Sequence, residues 1–449
     1  MSVQDSALNE EVKLITEGGP NQVHYYWECE IIANGETVKP LKVLGVDTQR
    51  EYDKNFSDVI MLEIAIGAGT HTSKLYPYKD NLSVNLFKRP LKEVGGDTNY
   101  DVRPVTQNFR ATLVDNGNAA VESNNPSASS EDAANLSAII SVTMQLIDPA
   151  LEQIRMQTVG GIFRKTTTGD LIRTVLGSVG KTIKIDREAS VKGVEMIPPS
   201  NKEVRDHIVI PHGTRLIDLP SYVHEKCGGV YNAGFGYYLQ NGTWYTWPLF
   251  DISRFAKTPR TLTIINLPKN MMPSVERTFR TTPNQVVIIA TGDVMYRDDS
   301  ENLQLNQGNG VRFTDANQIM QGLGTTAGNK TTMKRGQNNS EFMAGSRGTG
   351  LNNVQMSDNR ISANMFVETS KLARRNGVHI QLAWENSDPD LIYPGMPTQL
   401  MYLEDDVVKT IEGLVLRAHH HTALQGQGLT ATRHINNTAL TLFMGRKNA

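Results

Sequence analysis

Leu136-Ser-Ala-Ile-Ile-Ser-Val-Thr-Met-Gln-Leu146 is the stretch on which the reading of the fold turns. Ile140, Val142, Met144 and Leu146 alternate with Ser141, Thr143 and Gln145, the period of two expected of a strand with one buried face. Ile60, Leu62, Ile64 and Ile66 repeat that stripe, and Leu82, Val84 and Leu86, then Phe109, Ala111 and Leu113, add shorter ones. Turn clusters at Gly67 to Gly69, Gly95-Gly96-Asp97 and Asp115-Asn-Gly-Asn118 separate them. Glu122 to Ser130 reads as a loop between strands. Several strands at short spacing predict an antiparallel barrel or sandwich over residues 1–150.

The pattern changes at Pro149. Leu171, Ile172, Val175 and Leu176 share a helical face between Asp170 and Gly177, and the glycine reads as the C-terminal cap. Pro220 to Cys227 predicts a second short helix. Asn241-Gly242, set between Tyr238-Leu239 and Trp244-Tyr245, predicts a tight hairpin because both turn residues tolerate positive φ. Residues 151–265 therefore read as an inserted α/β domain.

Residues 266–449 return to β. A helix is expected from Met365 to Asn376, strands over Val378–Trp384 and Thr398–Leu403, and a long hairpin from Val407 to Met444 turning at Gln425 to Gly428. Within this part, residues 302–360 hold nine Gly and ten Asn among 59 positions, with Phe313 and Phe342 as the sole aromatics. Such a tract cannot build its own core, and fixing its backbone costs about 1–2 kcal/mol per residue. Its ordering is expected to need contacts from neighbours in an assembly. The fold class expected from this pattern is mainly β with α+β: β-rich ends around a separate α/β domain.

Charge narrows the function. With 45 basic and 47 acidic residues, the net charge of −2 provides no overall field to gather nucleic acid or anionic membrane. A hydrophobic content of 39% excludes disorder of the whole chain. Cys29 and Cys227 can form neither a disulfide framework nor a zinc site alone. The polar, acidic start does not read as a signal peptide. Apolar runs such as Val286 to Ala290 fall far below the roughly 20 residues of a membrane span.

Motifs for chemistry are incomplete. Gly177-Ser-Val-Gly-Lys-Thr182 ends like a phosphate-binding loop, but position 175 holds Val where the loop needs glycine to curl around phosphate. His419 and His421 would share a strand face at chelating spacing, with His434 a conceivable third ligand across the hairpin. A polar edge of the hairpin is the simpler account. Cys227 sits at the end of a helix, where the dipole disfavours a thiolate. Glu63 and Asp293 stand singly inside apolar strands, as structural acids do. The aromatics of 235–247 could form a sugar platform, although a core and partner-interface role suits that density better. No catalytic, cofactor-binding or metal residue is assigned, no cofactor is expected, and the chain does not read as an enzyme.

Several segments resemble the baseplate hub proteins of contractile-tailed bacteriophages. They are Thr158-Val-Gly-Gly-Ile-Phe-Arg-Lys-Thr-Thr-Thr-Gly-Asp-Leu-Ile-Arg173, Ile210-Pro-His-Gly-Thr-Arg-Leu-Ile-Asp-Leu-Pro-Ser-Tyr222 and Tyr237-Tyr-Leu-Gln-Asn-Gly-Thr-Trp-Tyr-Thr-Trp-Pro248. Thr291-Gly-Asp-Val294, Gly308-Asn-Gly-Val-Arg-Phe313 and the hairpin from Leu414 to Arg446 complete the set. The resemblance implies two tail-tube-like barrels per chain and a homotrimer that joins a sixfold tail tube protein to a threefold central spike protein. It also implies other baseplate proteins as neighbours, a channel for passage of genomic DNA, a place in the virion and no stable membrane association. The alternatives are a carbohydrate- or peptidoglycan-degrading tail enzyme and a nucleotide-dependent assembly factor.

Overall fold

The computed structural model describes residues 3–17, 25–90, 105–114, 139–182, 191–273, 277–292, 313–314, 354–355, 364–375, 377–404, 407–426 and 433–445. The protein is mainly β, with an α+β unit between two β lobes. The loop read at 122–130, Asp293, and all but four residues of the 302–360 tract lie outside the described residues. Those four form a minimal ladder between Phe313–Thr314 and Val354–Gln355. No helix among the described residues is long and apolar enough to cross a membrane.

The first lobe comprises β1 (Tyr25–Ala33), β2 (Glu36–Val38), β3 (Lys42–Glu51), β4 (Val59–Gly67), β5 (Leu82–Pro90), β6 (Val105–Leu113) and β7 (Ile139–Ile147). All pairings are antiparallel, in the order β3-β4-β7-β6-β5-β1-β2. The alternation legible in the sequence turns Ile31, Leu62, Ile64, Val84, Ala111 and Met144 into one buried core. No ladder among the described residues joins β1 to β3, yet the two strands are held together. The Trp27 backbone N–H donates to Nδ1 of His434 at 3.3 Å, and Nε2 of the same ring lies 3.1 Å from the Val43 carbonyl. A neutral ring protonated on Nε2 satisfies both strands at once.

The inserted unit contains α2 (Pro149–Met156), β8 (Thr158–Thr166), α3 (Thr168–Thr182), β9 (Gly193–Met196), β10 (Arg205–Arg215), α4 (Leu219–Lys226), β11 (Gly236–Gln240) and β12 (Thr243–Trp247). Here α1 denotes the amino-terminal helix Val3–Glu17. Asp148 caps α2 by accepting from the Ala150 and Leu151 N–H groups. The expected face of α3 is buried, Leu171, Ile172, Val175 and Leu176 all lying in the unit's core. Gly177 does not end the helix, contrary to the sequence expectation; α3 continues to Thr182. A glycine inside a helix costs only about 1 kcal/mol, which the packing of this face outweighs. β8 and β10 form a separate two-stranded ribbon, and β9, β12 and β11 a small sheet closed by the Asn241-Gly242 turn, with φ of 51° and 75°.

The second lobe comprises β13 (Thr261–Asn266), β14 (Phe279–Thr281), β15 (Gln285–Ala290), the short pair β16 (Phe313–Thr314) and β17 (Val354–Gln355), helix α5 (Met365–Arg375), β18 (Gly377–Trp384), β19 (Pro397–Glu404), β20 (Val407–Gln425) and β21 (Arg433–Gly445). Its ladder runs β15-β13-β19-β20-β21-β18. It then returns on itself where Thr291 and Ala383 exchange backbone hydrogen bonds of 2.9 and 2.7 Å. Thr278 reinforces this seam: its hydroxyl donates to the Glu385 carbonyl at 2.7 Å and accepts from the Trp384 indole at 3.0 Å. Leu262, Ile288, Ile380, Trp384, Leu400 and Leu442 fill the interior.

One detail departs from the antiparallel expectation: β13 runs parallel to both β15 and β19. Parallel strands of this kind are covered on both faces. The inner face of β13 meets the barrel core, while Ile265 and Leu267, with Val287 and Ile289 of β15, meet Leu8, Val12 and Ile15 of α1. Glu11 of that helix pairs with Arg280 at 2.9 Å.

Strand β20 unites the lobes. Residues 407–414 pair with β19 of the second lobe, and Arg417 to Ala423 pair, along the same edge, with Glu51 to Gly45 of β3. Its other edge pairs with β21, with a register shift between Val415 and Arg417. Gly413 is required beside that shift, since a Cβ there would stand 2.0 Å from the Phe443 carbonyl oxygen.

Candidate functional site

A cavity of about 440 Å³ lies where both lobes and the inserted unit meet. Arg50, Asp58, Lys88 and Phe109 face it from the first lobe, Asp148, Lys192 and Gln240 from the insert, and Asp390, His420 and Thr422 from the second lobe. Arg50 is central. Its Nε donates to Asp58 at 3.1 Å and one terminal nitrogen donates to the Pro389 carbonyl at 2.6 Å. The same nitrogen lies 3.3 Å from Nε2 of His420. Asp58 also accepts from the Tyr238 hydroxyl at 2.9 Å, so one carboxylate ties the first lobe to the insert's hairpin.

Electrostatics follow from burial. Desolvation works against the Arg50 charge, but the Asp58 carboxylate overrides it and holds its pKa above the ordinary value. Burial, then the Arg50 charge, push His420 well below its ordinary value, so the ring is neutral and accepts at Nε2. Its Nδ1 lies 2.7 Å from the Thr438 hydroxyl, which in turn contacts Ser387 at 2.6 Å. Burial also opposes the charge on Lys88, but Asp388 at 3.5 Å and Asp390 at 3.0 Å raise its pKa; burial raises that of Asp390, but the Lys88 charge and hydrogen bond override this and lower it. The Lys88 ammonium further sits 4.4 Å from the Tyr25 ring centroid. Arg50 is matched by Asp58 of its own lobe, and Lys88 by Asp388 and Asp390 of the second lobe. The arrangement locks geometry.

The residues singled out in the sequence fall elsewhere. Val175 is core and Gly180 packs closely on Val191, where a Cβ would come within 2.8 Å of a methyl group; the segment is a helix end, not a strand-to-helix phosphate cradle. His419 and His421 do share the exposed face of β20, next to Glu51 at 3.6 Å and Asp47 respectively. His434 does not join them: it pairs in register with Leu424, and both ring nitrogens are used at the first-lobe seam. Among the described residues no three His, Cys, Asp or Glu side chains gather as a metal requires. The hairpin aromatics Tyr238, Trp244 and Trp247 are buried. Trp244 serves the insert's core and the other two the second lobe's. Glu63 is exposed and accepts from the Ser141 hydroxyl at 2.6 Å. Cys29 is buried, and burial pushes its thiol up to about 12; Cys227 closes α4. Arg50, Asp58 and His420 were missed. Their signal was slight: Arg50 and His420 are polar residues on the buried face of their strands, and Asp58 stands just before β4.

No family model matches the sequence, and no curated protein matches it. Among solved structures the chain is similar to a tail protein from Neisseria meningitidis MC58, at 10% identity and a TM-score of 0.42 over 93% of this chain and 96% of that one. It is similar to the 43 kDa tail protein of prophage MuSo2 from Shewanella oneidensis, at 11% identity and 0.44 over 93% and 98%. It is also similar to a chain of the Francisella PdpA-VgrG complex, at 9% identity and 0.36 over 99% and 56%.

Proposed function

We propose that the chain is a structural baseplate protein of a contractile tail: a hub whose three copies form a ring joining a sixfold tail tube to a threefold central spike. The observation that supports this reading is the pair of β lobes in one chain, welded by the shared strand β20. Three such chains offer six quasi-equivalent lobes to a sixfold neighbour and three equivalent faces to a threefold one. On this reading the chain comprises a first barrel, an inserted unit and a second barrel beginning at β13. It resides in the virion, is made in the host cytoplasm, contacts other baseplate proteins and leaves a channel for genomic DNA. It works without a cofactor and without catalysis. Cryo-EM of the purified particle should find three copies in one ring with six lobes around the axis. Six copies in that ring, or no axial channel, would overturn the reading. Release of soluble fragments from peptidoglycan by the purified chain would favour the enzyme alternative instead.

A further inference from the structure

The ribbon of β8 and β10 is the least covered apolar feature among the described residues. Of the eleven exposed large hydrophobic side chains among the described residues, four lie on it or at its root: Met156 (80% exposed), Ile162 (62%), Val204 (62%) and Val209 (57%). Ile162 and Val209 are direct cross-strand partners. The neighbouring pair Phe163 and Ile208 turns the other way, into the insert's core. The outward face is thus an apolar pair with no other described residue covering it, on an element whose inner face is already anchored.

Charge defines what fits there. Two residues along, Arg164 and His207 form the next pair of the same face, and Lys165 adjoins them. All three are exposed, and Arg164 and Lys165 enter no ion pair among the described residues. The strand edges are unsuited to adding a further strand. Pro211 has no N–H to offer, the β10 register shifts between Ile210 and Thr214, and Lys165 has a φ of 50°. Contact therefore goes through the face. Pairing of this face with its own copy across a twofold axis would bring two Arg164–Lys165 clusters together, a like-charge juxtaposition that disfavours it. A threefold ring joins unlike faces and does not bring the ribbon onto itself either.

We propose that the outward face of this ribbon docks a different protein, one presenting an apolar patch rimmed by carboxylates. The inference goes beyond the hub reading but rests on it, since the partner is a neighbour in the same assembly. Ile162 and Val209 supply the dry centre, Arg164 and Lys165 the cationic rim, and His207 a polar neighbour beside it.

The test uses the full chain in the purified tail particle, with the photo-crosslinking residue benzoylphenylalanine at position 162 or 209, and at exposed Leu41 as control. Irradiation should couple positions 162 and 209, but not 41, to a protein other than this chain, at a segment bearing Asp or Glu. Arg164→Glu combined with Lys165→Glu should lower that yield roughly tenfold. An Ile162→Thr chain should melt as the parent does, showing that the fold is intact. Adducts to a second copy, to DNA or to nothing would overturn the inference. Absence of the chain from tail particles, read by mass spectrometry before irradiation, would instead defeat the hub reading.

Discussion

Arg50 shows how much one side chain can hold. It is 5% exposed and reaches Asp58 of its own lobe, the Pro389 carbonyl and His420 of the other. Asp58→Ala should strand that guanidinium without its carboxylate and cost about 3–5 kcal/mol. Urea denaturation will read this as a lowered midpoint, and Asp58→Asn, which keeps an acceptor for Tyr238, should recover part of it. The histidines set the acid limit. Burial brings His224 down to about 4, and His420 and His434 are also lowered, burial being the main cause in each. All three are neutral when folded, whereas the unfolded chain binds a proton at each below a pKa of about 6.5. Stability is therefore complete above that pH and falls as pH drops toward each folded value, by up to about 1.4 kcal/mol per unit per histidine. The denaturation midpoint should fall between pH 7 and pH 5, and His224→Gln should make that fall shallower. An unchanged slope in the variant would contradict the assignment. The roles of these polar positions were not legible beforehand, because an Arg or His shows its partners only once distant elements are brought together.

At the scale of elements, alternation did most of the work. The stripes at 60–66 and 140–146 became β4 and β7, paired Ile60 to Leu146 through Ile66 to Ile140. The hairpin at 407–444 became β20 and β21. What alternation could not show was a strand covered on both faces. Thr261 to Asn266 is buried at every position, so its period vanishes, and its parallel pairing depends on a helix more than 240 residues earlier in the chain. That helix left a trace: Leu8, Val12 and Ile15 have the spacing of one helical face within an otherwise polar, acidic start. Ile15→Asp should detach α1 from β13 and β15. It places a charge at a site with 0% exposure, so a loss above about 2 kcal/mol is expected. Increased binding of a hydrophobic dye, with the far-UV circular dichroism retained, will distinguish this from global unfolding. Gly413→Ala, facing the Phe443 carbonyl, should likewise destabilise the strand crossing, while Gly35→Ala, which meets no neighbour, is limited to the strain of its φ of 83°.

For the whole molecule the telling element is the closing hairpin. β21 pairs with β18 and β20 in the second lobe and carries His434 to the seam of the first. Deleting residues 429–449 should thus damage both lobes, not trim a tail. Hydrogen exchange should accelerate in β4 as well as in β18. Protection kept in the first lobe would show the two to be independent. The two-lobe plan was readable from β-rich ends around a different middle; the weld between them was not, since nothing in the sequence of β20 marks where one partner gives way to the next.

That weld has a mechanical meaning. Along one edge of β20 the bonds to β19 and then to β3 lie in a single row, as rungs set side by side. A pull that draws the lobes apart along the strand loads those rungs together, in shear, instead of peeling them one after another. The chain has no soft hinge at that crossing where a sudden axial load could be dissipated. It behaves as a strut, and thrust delivered to one lobe arrives at the other.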